Sequence, residues 1–246
     1  MPLWICLHRA VVGALLAVGA VAAGAADGPP LLAPLAGAAE APPAPWHVVG
    51  LPGQTKPFTR FSAVNLDGQR VLRVEAQASY GNLVHPVAGN PPAHRLSWRW
   101  RVDEASPGSD LKTRAGDDSP AKVCALFDLP IEAVPFVERQ VLKLARLRSA
   151  EPLPAASVCY VWDGRLAPGT VLDNAFTRRI RIIVLRGPEA GLHGWQSEQR
   201  DIHADFLRLF GDESRTVPPL MGIGVAADAD NTQGHSLAHM ADIALQ

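Results

Sequence analysis

The sequence lacks an excess of charge of either sign. It contains 23 lysines and arginines against 24 aspartates and glutamates, which gives a formal net charge of −1 over 246 residues. A protein dedicated to nucleic acids normally carries a clear positive excess, because it must contact many phosphates. We therefore predict no nucleic-acid partner.

The sequence also lacks a hydrophobic run of the roughly 20 residues that a lasting membrane anchor needs. The apolar run at 10–21 is shorter, follows the weakly basic pair His8 and Arg9, and precedes small residues at 23–25. This order is typical of a cleaved signal peptide. We predict a signal peptide at residues 1–26, export to the periplasm or secretion, and no stable membrane span after cleavage.

Cysteine is scarce, with three in the chain, and no C-x-x-C pair occurs. Zinc and thioredoxin-type redox sites commonly need such a pair, so both are disfavoured. Cys124 and Cys159 remain after removal of the signal peptide. They would form a disulfide in an oxidising compartment if their strands are neighbours, and otherwise each would be a small buried hydrophobic residue.

Residues 27–45 consist mostly of Gly, Pro, Ala and Leu. Dense proline prevents regular strand pairing, and a few leucines bury too little area to order a chain, so we predict a tether. The remaining residues, 46–246, are enough for one domain with a sizeable core.

Apolar and polar residues alternate with period two through most of this domain, which predicts half-buried strands. The predicted strands are 59–65, 70–77, 80–85, 95–102, 121–128, 157–162, 178–185, 195–202, 220–227 and 239–245. Gly222 and Gly224 fall inside one of them, and we interpret both as packing glycines.

Two helices interrupt the strands. The first, 135–148, carries Val137, Val141, Leu144 and Arg148 along one stripe, and the second, 202–210, begins at Asp201 as its N-cap. The pattern predicts an all-β fold, a jelly-roll-like antiparallel β-sandwich with one or two short helical decorations.

Arginines alternate with tryptophans in the strand at 95–102. Arg99 and Arg101 share one face, and Arg181 occupies a similar position in a later strand. Such a basic stripe would contact carboxylates, sulfates or phosphates of a ligand. The alternative is a solvated sheet face on which the arginines pair with acidic residues.

A polar loop joins two strands at 110–122. In it Lys112 precedes the adjacent pair Asp117 and Asp118, a combination that would contact sugar hydroxyls or serve acid–base chemistry. Asp230 and Asn231 near the other end of the domain are further candidates for hydroxyl contacts. The alternative for the loop is a turn whose aspartates accept hydrogen bonds from backbone amides.

Three aspartates near the end of the sequence, Asp228, Asp230 and Asp242, form a candidate metal site with calcium as the candidate cation. The spacing lacks the glycine and distal glutamate of an EF-hand loop. An Asx-rich turn is the alternative.

Several motifs follow one another along the domain. They are Trp98-Arg-Trp100, Lys112 with Gly116-Asp117-Asp118 and Pro120-Ala121, Tyr160-Val-Trp162, Gly194-Trp195 with Glu198 and Arg200-Asp201, Phe210-Gly211, and Asp228-x-Asp230-Asn231-Thr232 before Asp242-Ile243. In this order they resemble a bacterial family of exported proteins known as domain of unknown function 3047, over about residues 46–245. The family has no assigned activity, so the resemblance implies no catalytic residue.

The interpretation we favour from the residues is an envelope β-sandwich that binds a glycan or another polyhydroxylated ligand. Trp162 and Trp195 would supply stacking surfaces. One alternative is a polysaccharide lyase or hydrolase on the same scaffold, with Asp117 or Asp118 as acid or base beside Lys112. Another is a structural envelope protein with a protein partner.

Overall fold

The structure is a computed structural model that describes residues 29–246. The predicted signal peptide at 1–26 lies outside the described residues and stays a prediction. Neither of the two α-helices in the described part is long and apolar enough to cross a membrane.

Within residues 29–246 the chain forms twelve strands and two α-helices. The strands are β1 (His47–Val49), β2 (Arg60–Leu66), β3 (Gln69–Gln77), β4 (Asn82–Pro86), β5 (Arg95–Glu104), β6 (Ala121–Phe127), β7 (Ala156–Trp162), β8 (Val171–Asp173), β9 (Ile180–Arg186), β10 (Gln196–Asp201), β11 (Leu220–Ala226) and β12 (His235–Leu245). The helices are α1 (Phe136–Arg148) and α2 (Ile202–Phe210).

The strands form two packed sheets. One has seven strands in the order β1-β4-β11-β6-β7-β9-β8, and the other has five in the order β10-β5-β12-β3-β2. Neighbouring strands are antiparallel apart from the parallel pair of β7 and β9. The predicted jelly-roll-like β-sandwich with two short helices is confirmed.

Side-chain alternation explains why β6 separates two environments. Ala121, Val123, Ala125 and Phe127 point between the sheets and are fully buried in the main core. The residues between them, Lys122 among them, point to the outer face of the seven-stranded sheet, because successive side chains of a strand point to opposite faces.

The N-terminal segment, residues 29–45, packs against the domain and is not the predicted tether. Leu32 and Leu35 are buried in the main core. The guanidinium of Arg70 donates hydrogen bonds to the backbone carbonyls of residues 37–39. The proline-rich segment does not pair as a strand, but its two leucines and its free carbonyls still find partners on the sandwich.

A histidine of β4 fastens this segment. The backbone amide of Ala33 donates to Nε2 of His85 at 2.9 Å, while Nδ1 of His85 lies 2.7 Å from the carbonyl of Pro86. Nε2 must be unprotonated to accept the Ala33 hydrogen bond, so His85 is neutral in this arrangement. Burial lowers the pKa of His85, which favours the neutral form.

The attachment of the segment should therefore weaken in mild acid. Because the folded state holds His85 at a lower pKa than the unfolded chain, the unfolded chain binds the proton more readily, and stability falls as the pH drops below about 6.5. We expect the hydrogen-exchange protection factor of the Ala33 amide to decrease between pH 7 and pH 5. In His85→Ala the protection factor of the Ala33 amide should be low at both pH values. The control His94→Ala, at an exposed histidine, should behave as wild type. Equal protection in all three proteins would contradict the role of His85 as the acceptor of this hydrogen bond.

Cys124 and Cys159 form a disulfide between the neighbouring strands β6 and β7, where they lie directly opposite each other. Both sulfurs belong to a second apolar cluster, on the outer face of the seven-stranded sheet, together with Leu111, Val161 and Ile182. This resolves the two alternatives for the cysteine pair in favour of the disulfide.

The bond closes a loop with a sequence separation of 35 residues, and a loop of this length is expected to contribute about 3–4 kcal/mol by restricting the unfolded chain. The double variant Cys124→Ala, Cys159→Ala should lose about that much free energy of unfolding in urea titration. Wild-type protein in reductant should approach the same value. A loss below about 1 kcal/mol would contradict a stabilising role.

Helix α1 lies across one end of the seven-stranded sheet. Near its start, Glu138 accepts a hydrogen bond from Arg179, just before β9, at 2.6 Å. Its last residue, Arg148, borders the chain that follows β1. Thirteen helical residues span about 20 Å, close to the width of the five strand spacings from β9 to β1.

The predicted stripe of α1 does not enter the core. Leu142 is the buried residue of this helix, whereas Val137 and Val141 are 73% and 63% exposed. Helix α2 behaves as predicted, since Asp201 caps it by accepting hydrogen bonds from two backbone amides.

Candidate binding groove

A groove of about 870 Å³ covers much of the outer face of the seven-stranded sheet. Its floor includes Lys122, Cys124 and Leu126 of β6, which alternation places on this face. Helix α1 forms one wall. One end of the groove is polar, and the rest is lined mostly by aliphatic side chains.

The polar end lies where β6 begins and β11 ends. Charged and amide side chains line it: Lys56, Asp117, Lys122, Asp228, Asp230 and Asn231. Asp117, Asp230 and Asn231, which the sequence predicts as hydroxyl contacts, lie together at this end. Asp228, predicted as a metal ligand, also lies here.

Two lysine–aspartate pairs organise this end. The ammonium of Lys122 donates a hydrogen bond to Asp228, and that of Lys56 donates to Asp230 at 2.6 Å. Asp228 also accepts the backbone amide of Ser119 at 2.6 Å. Lys122, Asp228 and Asp230 are largely withdrawn from water, whereas Lys56 is about half exposed.

Burial shapes the titration of these groups. It raises the pKa of Asp228 to about 6, against the opposing pull of the Lys122 ammonium. Burial likewise raises the pKa of Asp117. Burial alone would lower the pKa of Lys122, but the neighbouring Asp228 raises it overall, so Lys122 is charged at neutral pH.

Asp117 is positioned by a second loop. Its Oδ2 accepts a hydrogen bond from Nδ2 of Asn174, in the turn between β8 and β9. Asn174 also accepts, through Oδ1, the backbone amide of Phe176 at 3.0 Å. Phe176 lies in the same turn and lines the groove; its ring is 53% exposed and lies 5.4 Å from the guanidinium of Arg114.

Asp118, in contrast, is structural. Its carboxylate accepts hydrogen bonds from the backbone amides of Asn231 and Thr232 at 3.1 and 2.7 Å, and from the Thr232 hydroxyl at 2.6 Å. Asp118 is fully buried and is not among the residues that line the groove. The alternative reading, in which an aspartate of this loop binds backbone amides, is correct for Asp118.

The predicted metal triad is not assembled as expected. Oxygen atoms of Asp118, Asp228 and Asp230 lie within 4.8 Å of one another, but Asp242 is on β12 in the other sheet. Lysine ammonium groups already bind two of the three clustered carboxylates. Calcium binding stays a prediction.

The predicted anion stripe lies on the outer face of the five-stranded sheet, away from the groove. Arg99 pairs with Asp242 at 2.6 Å, and its guanidinium stacks 4.9 Å from the Trp195 ring centre. Arg101 pairs with Asp103 at 2.6 Å. Arginine ladders with acidic partners, the alternative interpretation, describe this face.

Trp162, Arg181 and Lys112, which the sequence also predicts as ligand contacts, do not line the groove. Trp162 is buried between the sheets, edge-on to Trp100. Arg181 is buried in ion pairs with Asp212 and Glu213, so its face is not a free anion site. Lys112 is exposed in its loop and is not a lining residue of the groove.

Several groove residues are not predicted from the sequence. Lys56 and Tyr80 come from segments with no charge cluster or motif, and Asn174 lies in an ordinary polar turn. Lys122 had a usable signal, because alternation in β6 places it on the same face as Cys124.

Fold and groove together define a two-sheet β-sandwich with a ligand-sized groove on one outer face. The chain belongs to the family DUF3047, described as a protein of unknown function, whose model matches residues 44–244. No curated protein matches the sequence. Among solved structures it is similar to the endoglucanase 3 of Trichoderma harzianum from family GH12, with 9% identity and a TM-score of 0.42 over 83% of this chain and 98% of that chain.

The structural role of Asp118 can be tested against an exposed aspartate. Asp118→Asn replaces an acceptor of several hydrogen bonds by an amide that donates, and should cost about 2–3 kcal/mol of unfolding free energy. Asp242→Asn, which removes a half-exposed ion pair, should cost less than about 1 kcal/mol. Urea titration of both variants would measure the difference, and equal losses would contradict the scaffold role of Asp118.

Proposed function

We propose that the protein is an exported binding protein whose groove takes a polyhydroxylated ligand, a glycan or a glycan-bearing molecule, at its polar end. The observation that carries the proposal is the convergence of two lysine–aspartate pairs and two amide side chains at one end of a groove of about 870 Å³. The disulfide of Cys124 and Cys159 supports export, because such bonds persist in oxidising compartments.

The mixture of groups at the polar end favours hydroxyls over a charged ligand. A hydroxyl both donates and accepts, so it can bridge an ammonium such as Lys56 and a carboxylate such as Asp230. Because cations and carboxylates are interleaved there, neither an anion nor a cation meets a field of one sign. An amide such as Asn231 adds a donor and an acceptor at the same place.

The aromatic rings that could stack on a sugar in the groove differ from those predicted from the sequence. Trp162 and Trp195 are outside the groove, and the aromatic residues that line it are Tyr80 and Phe176. Phe176 is half exposed although the Arg114 guanidinium lies 5.4 Å from its ring centre, and the uncovered part of this ring is what we assign to contact with a sugar face.

A hydrolase on the same scaffold is the second candidate, and the raised pKa of Asp228 favours it. Glycoside hydrolysis uses one carboxyl group with a raised pKa as acid and a second carboxylate nearby. Asp228 and Asp230 both line the groove, and their oxygens lie within 4.8 Å. Lys112 takes no part in this arrangement, since it is not among the lining residues.

Isothermal titration of the processed chain with neutral and acidic oligosaccharides, with and without calcium, tests the proposal. We expect saturable binding to at least one sugar, about tenfold weaker in Asp117→Asn because a hydrogen bond to a charged group is lost. Arg101→Gln, on the other sheet, is the control and should bind as wild type.

Binding to no sugar, or equal loss in the control, would contradict the proposal and turn attention to a protein partner. The same samples incubated with substrate distinguish the two functions. Release of shorter sugars that stops in Asp228→Asn, with binding retained, would indicate the hydrolase.

A further inference from the structure

The larger part of the groove is lined mostly by apolar side chains, which offer a sugar no hydrogen bonds. Beyond Lys122, the floor continues along β6 through Cys124 and Leu126, and β11 and β9 add Met221 and Ile182. From Lys122 to Leu126 the strand advances about 13 Å, so this apolar floor is much longer than a single side-chain pocket. Charged groups such as Glu138 and Arg179 also line the groove, but these two are paired with each other, so hydroxyl groups laid along the floor itself would lose water and gain few hydrogen bonds.

The wall of this half is an apolar helix face in contact with water. Val137, Val141 and Ala145 are spaced four residues apart, which places them on one side of α1, and all three line the groove. Leu142 anchors the helix in the core, so the exposure of Val137 and Val141 is not the fraying of a loose helix. Soluble proteins rarely keep contiguous apolar surface uncovered unless it contacts a ligand, a partner or a membrane.

A glycine keeps the floor open. At Gly222 an added Cβ would lie 2.7 Å from the carbonyl oxygen of His85, so packing requires that glycine. At Gly224 an added Cβ would lie 3.8 Å from a methyl group of Val84, an ordinary contact. The packing interpretation is correct for Gly222 only. Gly224 weakens a central strand, and what it provides is space in the groove.

We infer that the apolar half of the groove binds an aliphatic chain, so that the ligand is an amphiphile with its polar head at the lysine–aspartate end. This inference rests on the proposed function for the head group. A hydrocarbon chain matches the aliphatic floor and wall because it has no hydrogen bonds to satisfy. An extended peptide would leave its backbone amides unpaired along the same surface.

The test is titration of the processed chain with n-alkyl glucosides of six, eight and ten carbons, below their micelle concentrations, and with free glucose. If the chain enters the groove, each added methylene should tighten Kd about fourfold until the groove is full. Gly224→Leu, which fills the floor, should abolish this dependence and leave affinity for the free sugar unchanged.

A second variant guards against misfolding of Gly224→Leu. Val141→Ser removes an apolar wall residue at an exposed position and should weaken the ten-carbon ligand severalfold, whereas Leu147→Ser, on the same helix but outside the groove lining and 84% exposed, should not. Melting curves of the variants report whether they fold.

The outcomes separate the two proposals. Binding of free sugar and of all glucosides with the same Kd would overturn the aliphatic site and leave the sugar site standing. If no sugar binds, the same titration is made with n-alkanols of six, eight and ten carbons. A Kd that falls about fourfold per methylene, and no longer does so in Val141→Ser, would support the aliphatic site alone. If no alkanol binds, the aliphatic site is overturned as well.

Discussion

The packing of β5 against β7 through large aromatic side chains is the interaction on which the rest of the structure depends. Trp98 lies against Tyr160 with ring centres 5.4 Å apart, and Trp100 meets Trp162 at 5.9 Å, all four buried between the sheets. Two of the four polar tips have partners, since Trp100 donates to Glu198 and Tyr160 donates to Asp205, whereas the indole N–H of Trp98 is buried without a hydrogen bond. Because each ring removes a large apolar area from water, this cluster sets the distance between the sheets and the side of β7 that is hidden.

One face of β6 and β7 packs in that core, so the side chains on the other face of both strands point to the outside of the sandwich. The disulfide, Leu111 and Ile182 cover part of it as a second cluster, and α1 spans one end. Between these covers the seven-stranded sheet keeps an open apolar surface. The groove exists because the loops and α1 leave part of the outer face of this sheet uncovered. Gly224 has no side chain, so nothing narrows the groove at that position.

The polar end of the groove depends on a loop interaction remote in sequence. Asp118 binds the turn after β11 through backbone amides, and this holds Asp117 and Asn231 at the same rim. Buried carboxylates are tolerated there because lysines pair with them, as Lys122 does with Asp228. The polar end and the apolar part of the groove consequently depend on different interactions: hydrogen bonding at one end, and sheet surface left uncovered at the other.

The sequence by itself determined the local structure. Ten strands and both helices follow from alternation, turn residues and the Asp201 cap, and the two three-residue strands β1 and β8 are too short to show a pattern. Alternation also shows that Arg99 and Arg101 share a face. It does not show that this face belongs to the sheet opposite the groove, nor that Trp162 and Arg181, on the groove's own sheet, are buried between the sheets and in ion pairs. Only the tertiary structure decided that Asp117, Asp228 and Asp230 meet beside Lys56 and Lys122, because these contacts join residues far apart along the chain and depend on how two sheets stack.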